Sequence, residues 1–182
     1  MKWSSALASD AAGGQGVFAP VVRPLRPGSV VAGPATTVRV ARDDNLDLRL
    51  AIDAGGLRGK VLVIAGGAAS RAACMGGNVA RDLKASGVIA VVTDAPVRDS
   101  AEISRSGLRV WSRGVTPLRP NKVGGGDLGG QVELAGVTVG PGDWVIADDD
   151  GIVAWPHQRF DELSARAAEL ERAERRASRR RA

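Results

Sequence analysis

The sequence contains no tyrosine, and aromatic residues make up only 3% of its 182 residues. Its hydrophobic core must therefore be built from valine, isoleucine, leucine and alanine. Cys74 is the single cysteine, so no disulfide framework can form within the chain, which favours a reducing, cytoplasmic setting. His157 is the single histidine; it follows a proline, and we expect it at the surface.

Long apolar segments are also lacking. No apolar run approaches the roughly 20 residues that a membrane-spanning helix needs. Residues 1–5 lack the apolar core of a signal peptide. We therefore expect no association with a membrane. No linker divides the chain, so we expect one domain over residues 1–182, with a C-terminal helix and basic tail over residues 160–182.

Positive charge is concentrated at the C-terminus of a chain whose net charge is +5 and whose pI is about 10.3. A basic tail can bind a polyanion such as nucleic acid. This tail has no interleaved aromatic residues, and arginines are also favoured at the end of a solvated helix by the helix dipole. Nucleic-acid binding is therefore not expected. The arginines concerned are Arg172, Arg175, Arg176, Arg179, Arg180 and Arg181.

The middle of the chain has the pattern of a βαβ unit. Lys60–Ala65 is a continuous apolar run bounded by glycines, as in a central strand covered on both faces. A helix is predicted over Asn78–Ser86 and a second buried strand over Val88–Val92. Because a strand, helix, strand order requires a crossover connection, part of the sheet should be parallel.

The flanking segments predict further elements. We expect a short helix before residue 16, a pair of strands within Val30–Val40 and a short helix over Leu46–Asp53. Short apolar segments separated by glycines after residue 131 predict a β-meander, in which Asp148–Gly151 is a hairpin turn rather than a metal-binding loop. Apolar residues at helical spacing from Phe160 onward predict a long amphipathic helix.

Two polar features of the βαβ unit should meet at one rim of the sheet. Gly76 and Gly77 open the predicted helix, and Arg98 with Asp99 follows the second strand. Free N–H groups at a helix start bind anions, and a carboxylate can hold a divalent cation. The alternatives are a plain tight turn and a surface ion pair. Glu102 could belong to the same site or simply begin a helix.

Four motifs in this order resemble the RraA-like family, over roughly residues 9–156. The family includes class II 4-hydroxy-4-methyl-2-oxoglutarate/4-carboxy-4-hydroxy-2-oxoadipate aldolases, related oxaloacetate decarboxylases and non-catalytic regulators of ribonuclease E. The resemblance implies an α/β fold of the swivelling β/β/α type that assembles as trimers or hexamers. The motifs are Gly33-Pro34-Ala35-x-Thr37, Gly76-Gly77 with Arg98-Asp99, Arg113-Gly114-x-Thr116-Pro117, and Pro141-Gly142-Asp143-Trp144 with Asp148–Gly151.

The resemblance also implies a role for each site residue. Arg98 would contact the substrate oxygens, and Asp99 would ligate Mg²⁺ or Mn²⁺. Glu171 and Glu174 are candidates for a carboxylate contributed across a subunit boundary. The carboxylate of pyruvate would lie on the backbone of Gly76, Gly77, Asn78 and Val79.

Two positions depart from the family pattern. Many active members carry an acidic residue where this chain has Gly77, and Pro96 stiffens the turn before Arg98. Loss of a carboxylate that orients metal-bound water typically costs about 10–100-fold in metal affinity or activity.

The expected function is that of a divalent-metal aldolase acting on small 2-oxo acids. Breaking the bond next to a 2-oxo acid leaves an enolate, which needs a Lewis acid and a cation. Oxaloacetate decarboxylation would proceed through the same enolate. The alternative is a non-catalytic regulator, which Gly77 favours. A regulator that docks on an arginine-rich scaffold should be acidic, however, and this chain is basic.

Overall fold

The computed structural model describes residues 3–181, and within them the chain folds around a mixed sheet of eight strands with a separate two-stranded hairpin. The strands are β1 Arg23–Pro24, β2 Val31–Arg39, β3 Val61–Ala65, β4 Ala90–Thr93, β5 Arg109–Ser112, β6 Asp127–Leu128, β7 Val132–Leu134, β8 Val137–Val139, β9 Trp144–Ala147 and β10 Ile152–Trp155. The helices are α1 Ser5–Ala11, α2 Leu46–Ala54, α3 Gly77–Ala85, α4 Ser100–Ser106 and α5 Phe160–Arg181, and a 3₁₀ turn spans His157–Arg159.

The parallel part of the sheet is formed by β2, β3, β4 and β5, which confirms the predicted βαβ arrangement. All five residues of β3 are buried. Leu62 and Ile64 pack in the core beneath the helices, whereas Val61 and Val63 pack in a second core on the opposite face. The apolar run therefore has the two covered faces that its composition indicated.

The Val30–Val40 segment is one strand rather than the predicted pair. The first half of β2 pairs antiparallel with β9 up to Pro34, and from Ala35 the strand pairs parallel with β3. Proline has no N–H to donate to a sheet. It is tolerated here because it lies where the strand changes partner. Pro34 thus marks a switch between two partners within one strand.

The helices beside the parallel strands bring the polar ends of the βαβ unit to one edge. Helix α3 begins at Gly77, one residue before the predicted start, with Gly76 as its N-cap, and Gly87 follows the helix at φ +83°. The strand after it begins at Ala90 rather than at Val88. Helix α4 follows directly after Asp99; it was expected only as one of the two alternatives for Glu102.

A third core lies between α1, α5 and the β9–β10 hairpin. It includes Trp155, Leu163 and Ala167, which are almost completely buried. The turn at residues 148–151 joins β9 to β10, as predicted, and Ser5 donates to Asp148 from both its N–H and its hydroxyl. The amphipathic C-terminal helix is confirmed. No helix in residues 3–181 combines the length and the apolar character needed to cross a membrane.

Candidate functional site

The start of α3 meets the turn that follows β4. The Gly77 N–H donates to Asp99 Oδ2 at 3.1 Å, and the Arg98 N–H donates to the Met75 carbonyl at 3.0 Å. Met75 and Val97 also form an isolated parallel bridge. Backbone pairing therefore fixes the spacing between the two segments, and the structure brings Gly76 and Gly77 against the Arg98–Asp99 pair.

Gly76 leaves no space for a side chain. A Cβ added there would lie 2.5 Å from Asp99 Oδ2 and 3.0 Å from Arg98 Cγ. Its backbone is extended, at φ −138°, a conformation that any residue can adopt. A side chain at position 76 would therefore displace the side chains of Asp99 and Arg98, whereas the backbone conformation there would tolerate it.

Gly77 meets a different carboxylate. A Cβ added at Gly77 would clash with Glu102 Oε2 and lie only 2.8 Å from Glu102 Cβ. Glu102 lies in the first turn of α4, which agrees with the alternative that it begins a helix. Its carboxylate pairs with Arg81 at 3.2 Å. The space in which an acidic residue at position 77 would begin is therefore occupied by the carboxylate of Glu102, which approaches from the neighbouring helix.

Arg98 and Asp99 form a half-exposed ion pair. Arg98 Nε lies 3.5 Å from Asp99 Oδ2, and the two side chains are 35% and 39% exposed. Asp99 has a left-handed backbone, with φ 55° and ψ 42°. Such a conformation is uncommon for a residue with a side chain and is often found at functional sites. It turns the chain sharply from the Arg98 segment into α4.

A cavity of about 180 Å³ opens between these elements. The volume is below the roughly 300–1,000 Å³ of pockets for drug-sized ligands, so the cavity suits a small metabolite. Four cationic side chains line it, together with the single carboxylate of Asp99. The cations are Arg49 on α2, Arg98, and Arg119 with Lys122 from the segment after β5. This balance of charge favours an anionic ligand.

The first turn of α3 adds backbone donors to the cavity. The N–H groups at the start of an α-helix have no carbonyl partner within the helix. The Gly77 N–H is taken by Asp99, and the Ala80 N–H donates to the Gly76 carbonyl. Asn78 and Val79 line the cavity, and their N–H groups are the donors that the helix start leaves for an anion.

The residues at this site fit a hard divalent cation that takes only one or two of its ligands from the protein. In residues 3–181 no three His, Cys, Asp or Glu side chains cluster as a metal cage. Mg²⁺, however, usually keeps several waters and binds through one or two carboxylates together with its substrate. Asp99 uses Oδ2 for Gly77 and Arg98, and no hydrogen bond among the described residues occupies its Oδ1. One carboxylate oxygen is thus available for coordination.

Several cavity residues were missed by the sequence reasoning. Arg119 and Lys122 lie on a segment that bonds to the loop before α2: the Asn121 N–H donates to the Asp43 carbonyl at 2.8 Å, and the Val123 N–H donates to the Asp44 carboxylate at 2.6 Å. A proline-bounded loop gives no periodic signal, so only the folded structure shows where it runs.

Asp44 is the buried anchor of that loop, at 4% exposure. Burial by itself raises the pKa of the carboxyl. The N–H groups of Leu46, Val123 and Gly124 all donate to it and outweigh burial, so its pKa lies below the ordinary value of 3.8. Asp44 therefore remains charged at neutral pH and holds the loop against the start of α2.

The remaining predicted site residues lie elsewhere. Glu102 lines a larger open cleft of about 520 Å³ that shares Arg98 and Asp99 with the first cavity. Glu171 and Glu174 are on α5, and neither lines this cavity within the one chain; Glu171 pairs with Arg175 at 2.8 Å. A role for them across a subunit boundary stays a prediction. His157 is exposed, as expected, and Cys74 is buried.

Comparisons with known proteins agree on one family. Residues 5–154 match the RraA-like family, described as Aldolase/RraA. A Burkholderia multivorans protein named "Putative 4-hydroxy-4-methyl-2-oxoglutarate aldolase" is 36% identical over 143 residues, which are 79% of this chain and 86% of that protein.

Solved structures share the fold over most of their length. Streptomyces coelicolor RraAS2, an unusual member of the RNase ES inhibitor RraA protein family, has a TM-score of 0.87 and 27% identity, over 98% of this chain and 93% of that one. The RNA-processing inhibitor RraA from Thermus thermophilis has a TM-score of 0.78 and 29% identity, and the match covers 86% of this chain and 94% of that one. The expected α/β fold with its C-terminal helix is thereby confirmed.

Proposed function

Because the chain belongs to the RraA-like family, we propose that it is a divalent-metal-dependent lyase of the class II pyruvate aldolase type. Its substrates would be 4-hydroxy-2-oxo acids of the 4-hydroxy-4-methyl-2-oxoglutarate kind, with oxaloacetate decarboxylation as a second activity. Mg²⁺ or Mn²⁺ would be the metal. We further propose that it acts in the cytoplasm as a trimer or hexamer, with Glu171 or Glu174 as the carboxylate supplied by a neighbouring subunit.

One observation carries the proposal. The Gly77 N–H donates to Asp99 Oδ2 at 3.1 Å, which joins an anion-binding helix start to the Arg98–Asp99 pair at the wall of one small cavity. Donors for a carboxylate, a cation for a second oxygen and a ligand for a metal are thus within reach of a single small acid.

The residues of the chain support cleavage of the bond between C3 and C4 of the substrate. The N–H groups of Asn78 and Val79 would hold the C1 carboxylate, and the Arg98 guanidinium would donate to the C2 oxygen. As the bond breaks, the C4 hydroxyl gives its proton to solvent and becomes the carbonyl of the second product. The bonding electron pair stays on the pyruvate half as an enolate, whose negative charge develops on the C2 oxygen and which solvent then protonates at C3. Arg98 therefore stabilises the transition state more than the substrate. A divalent cation on Asp99 would supply Lewis acidity to the same oxygens.

The test is the release of pyruvate from 4-hydroxy-4-methyl-2-oxoglutarate and from oxaloacetate, with Mg²⁺ and then with excess chelator. We expect turnover that chelation abolishes and that Asp99→Asn lowers by at least about 100-fold. Asp53→Asn, an exposed acid near the end of α2, is the matched control and should retain activity. Absence of turnover on both acids, or full activity of Asp99→Asn, would refute the proposal.

A non-catalytic regulator is the second candidate. Two of the solved structures that share the fold are described as an RNA-processing inhibitor and as an unusual member of the RNase ES inhibitor RraA family. Under this alternative the purified protein would slow cleavage of an RNA by a ribonuclease E-type enzyme. The Asp99→Asn variant would slow this cleavage as much as the wild-type protein does. Metal-dependent pyruvate release without any effect on ribonuclease activity would exclude it.

A further inference from the structure

Two neighbouring loops meet at the site. The first loop, residues 66–76, leads from β3 to the start of α3, and the second loop, residues 94–99, leads from β4 to α4 and carries Arg98 and Asp99. Because β3 and β4 are parallel neighbours, both loops leave the same edge of the sheet. The position of one loop against the other therefore sets the distance between the helix start and the Arg98–Asp99 pair.

Backbone groups join the middle of the two loops. The Cys74 N–H donates to the Pro96 carbonyl at 3.0 Å, and the Arg98 N–H donates to the Met75 carbonyl at 3.0 Å. Such a short run of backbone bonds opens most easily from its ends, as chain segments do at fraying positions. The bonds that close the two ends therefore decide how firmly the loops are held together.

A carboxylate closes each end of this contact. At the end nearest α3, the Gly77 N–H donates to Asp99 Oδ2 at 3.1 Å. At the end nearest the sheet, the Gly67 N–H donates to Asp94 Oδ1 at 2.8 Å. Asp94 directly follows β4 and is only 5% exposed. Burial raises the pKa of its carboxyl, and the hydrogen bond from the Gly67 N–H opposes that rise. The proposed reaction uses Asp99 but gives Asp94 no part.

The two loops are packed closely at the Asp94 end. A Cβ added at Gly67 would clash with the Ala95 Cβ and lie 2.8 Å from the Ala95 Cα. The next residue of the first loop is held from the other side, because Arg113 Nη1 donates to the Ala68 carbonyl. Arg113 directly follows β5. The ends of three parallel strands are thus tied together at this point, which leaves little room for either loop to shift while the bond to Asp94 is made.

We infer that Asp94 is a positioning residue, which holds the two loops in register and so places Arg98 and Asp99 against the start of α3. Asp94 is not among the residues that line the cavity, so it acts through the loops rather than on the substrate. The inference rests on the proposed function, because it assigns what keeps the proposed catalytic pair in place. A displacement of about 1 Å at that pair can cost roughly 100-fold in rate, even when the altered residue lies away from the reacting atoms.

The test removes the carboxylate in Asp94→Ala and measures both the loop contact and the reaction. Amide hydrogen exchange at Arg98, whose N–H bonds to the first loop, should become about tenfold faster relative to the amides of β3, because opening the loops then breaks one hydrogen bond fewer. In pyruvate release with Mg²⁺, kcat should fall about 100-fold. KM should change by less than about threefold, because the helix start that holds the substrate carboxylate is retained.

The matched control is Asp148→Ala, which removes another buried carboxylate, 8% exposed, that anchors the turn between β9 and β10. It should lower the urea unfolding midpoint but leave kcat and the exchange at Arg98 unchanged. If Asp94→Ala does not fold, Asp94→Asn decides by the same measurements, with smaller changes in the same direction, because it loses the charge but keeps one acceptor.

Unchanged exchange at Arg98 or an unchanged kcat in the Asp94 variants overturns the inference, as does an equal loss of kcat in Asp148→Ala. Because hydrogen exchange needs no turnover, faster exchange at Arg98 in the Asp94 variants alone supports the role of Asp94 in the loop contact even if pyruvate release fails in the wild-type protein.

Discussion

The substitution Gly76→Ala tests how closely the helix start must approach the Arg98–Asp99 pair. The added methyl would lie 2.5 Å from Asp99 Oδ2, whereas ordinary van der Waals contact begins near 3.4 Å. The carboxylate must therefore move by about 1 Å. It would also lose its alignment with the Gly77 N–H. A displacement of about 1 Å from the productive geometry can cost roughly 100-fold in rate.

The same substitution should leave the fold almost unchanged. The backbone at Gly76 is extended, which alanine adopts without strain. Alanine is a poorer N-cap than glycine, so we expect a loss of stability of about 1 kcal/mol or less. Pyruvate release should then fall by about 100-fold while the urea unfolding midpoint shifts only slightly.

Gly130→Ala is the matched control. Position 130 has no heavy atom within 4 Å of an added Cβ and no positive φ, so activity should be retained. If Gly76→Ala kept wild-type activity, catalysis would not depend on the present position of the Asp99 carboxylate, which would contradict the prediction. A large loss of stability would also refute it, because the backbone itself would then require glycine.

Three further predictions concern the surroundings of the site. Gly77→Asp should destabilise the protein and fail to raise activity, because the new side chain would begin 2.8 Å from the Glu102 Cβ. Urea unfolding and pyruvate release measure the two effects, and higher activity with unchanged stability would contradict the prediction. Asp44→Asn should cost about 2 kcal/mol at pH 7. Because the folded pKa of Asp44 lies below 3.8, its stabilising contribution is present above pH 4 and is lost as the pH falls through the folded value. Urea unfolding should therefore show the stabilities of the two proteins converging as the pH is lowered further below 3.8. Cys74 should not react with Ellman's reagent at pH 8 in the folded protein, since burial raises its pKa to about 12; rapid labelling without urea would contradict this.

The sequence allowed the βαβ unit to be predicted because its signals are local. An apolar run bounded by glycines predicted β3, and a glycine pair before an amphipathic segment predicted the start of α3. Parallel pairing then requires the two polar ends to reach the same edge of the sheet. The closeness of Gly76 to Asp99 follows from that geometry, whereas their chemical role stays a proposal.

The features that were missed depend on contacts between distant segments. Helix α4 has seven residues and buries only Ile103 among them, so its hydrophobic pattern is too weak to identify it. Residues 127–128 form β6 against the end of β2, although glycines on both sides of them give no strand pattern. The positions of Arg119 and Lys122 follow from hydrogen bonds to residues nearly 80 positions earlier in the chain, which no local pattern contains.

A crystal structure of the protein with Mg²⁺ and oxalate tests the central claim most directly, because oxalate mimics the planar oxygens of pyruvate enolate. We predict oxalate in the cavity at the start of α3, with one carboxylate within hydrogen-bonding distance of the Asn78 and Val79 N–H groups and of the Arg98 guanidinium, and with Mg²⁺ bound to Asp99. Oxalate bound away from α3, or Mg²⁺ held without Asp99, would contradict the account.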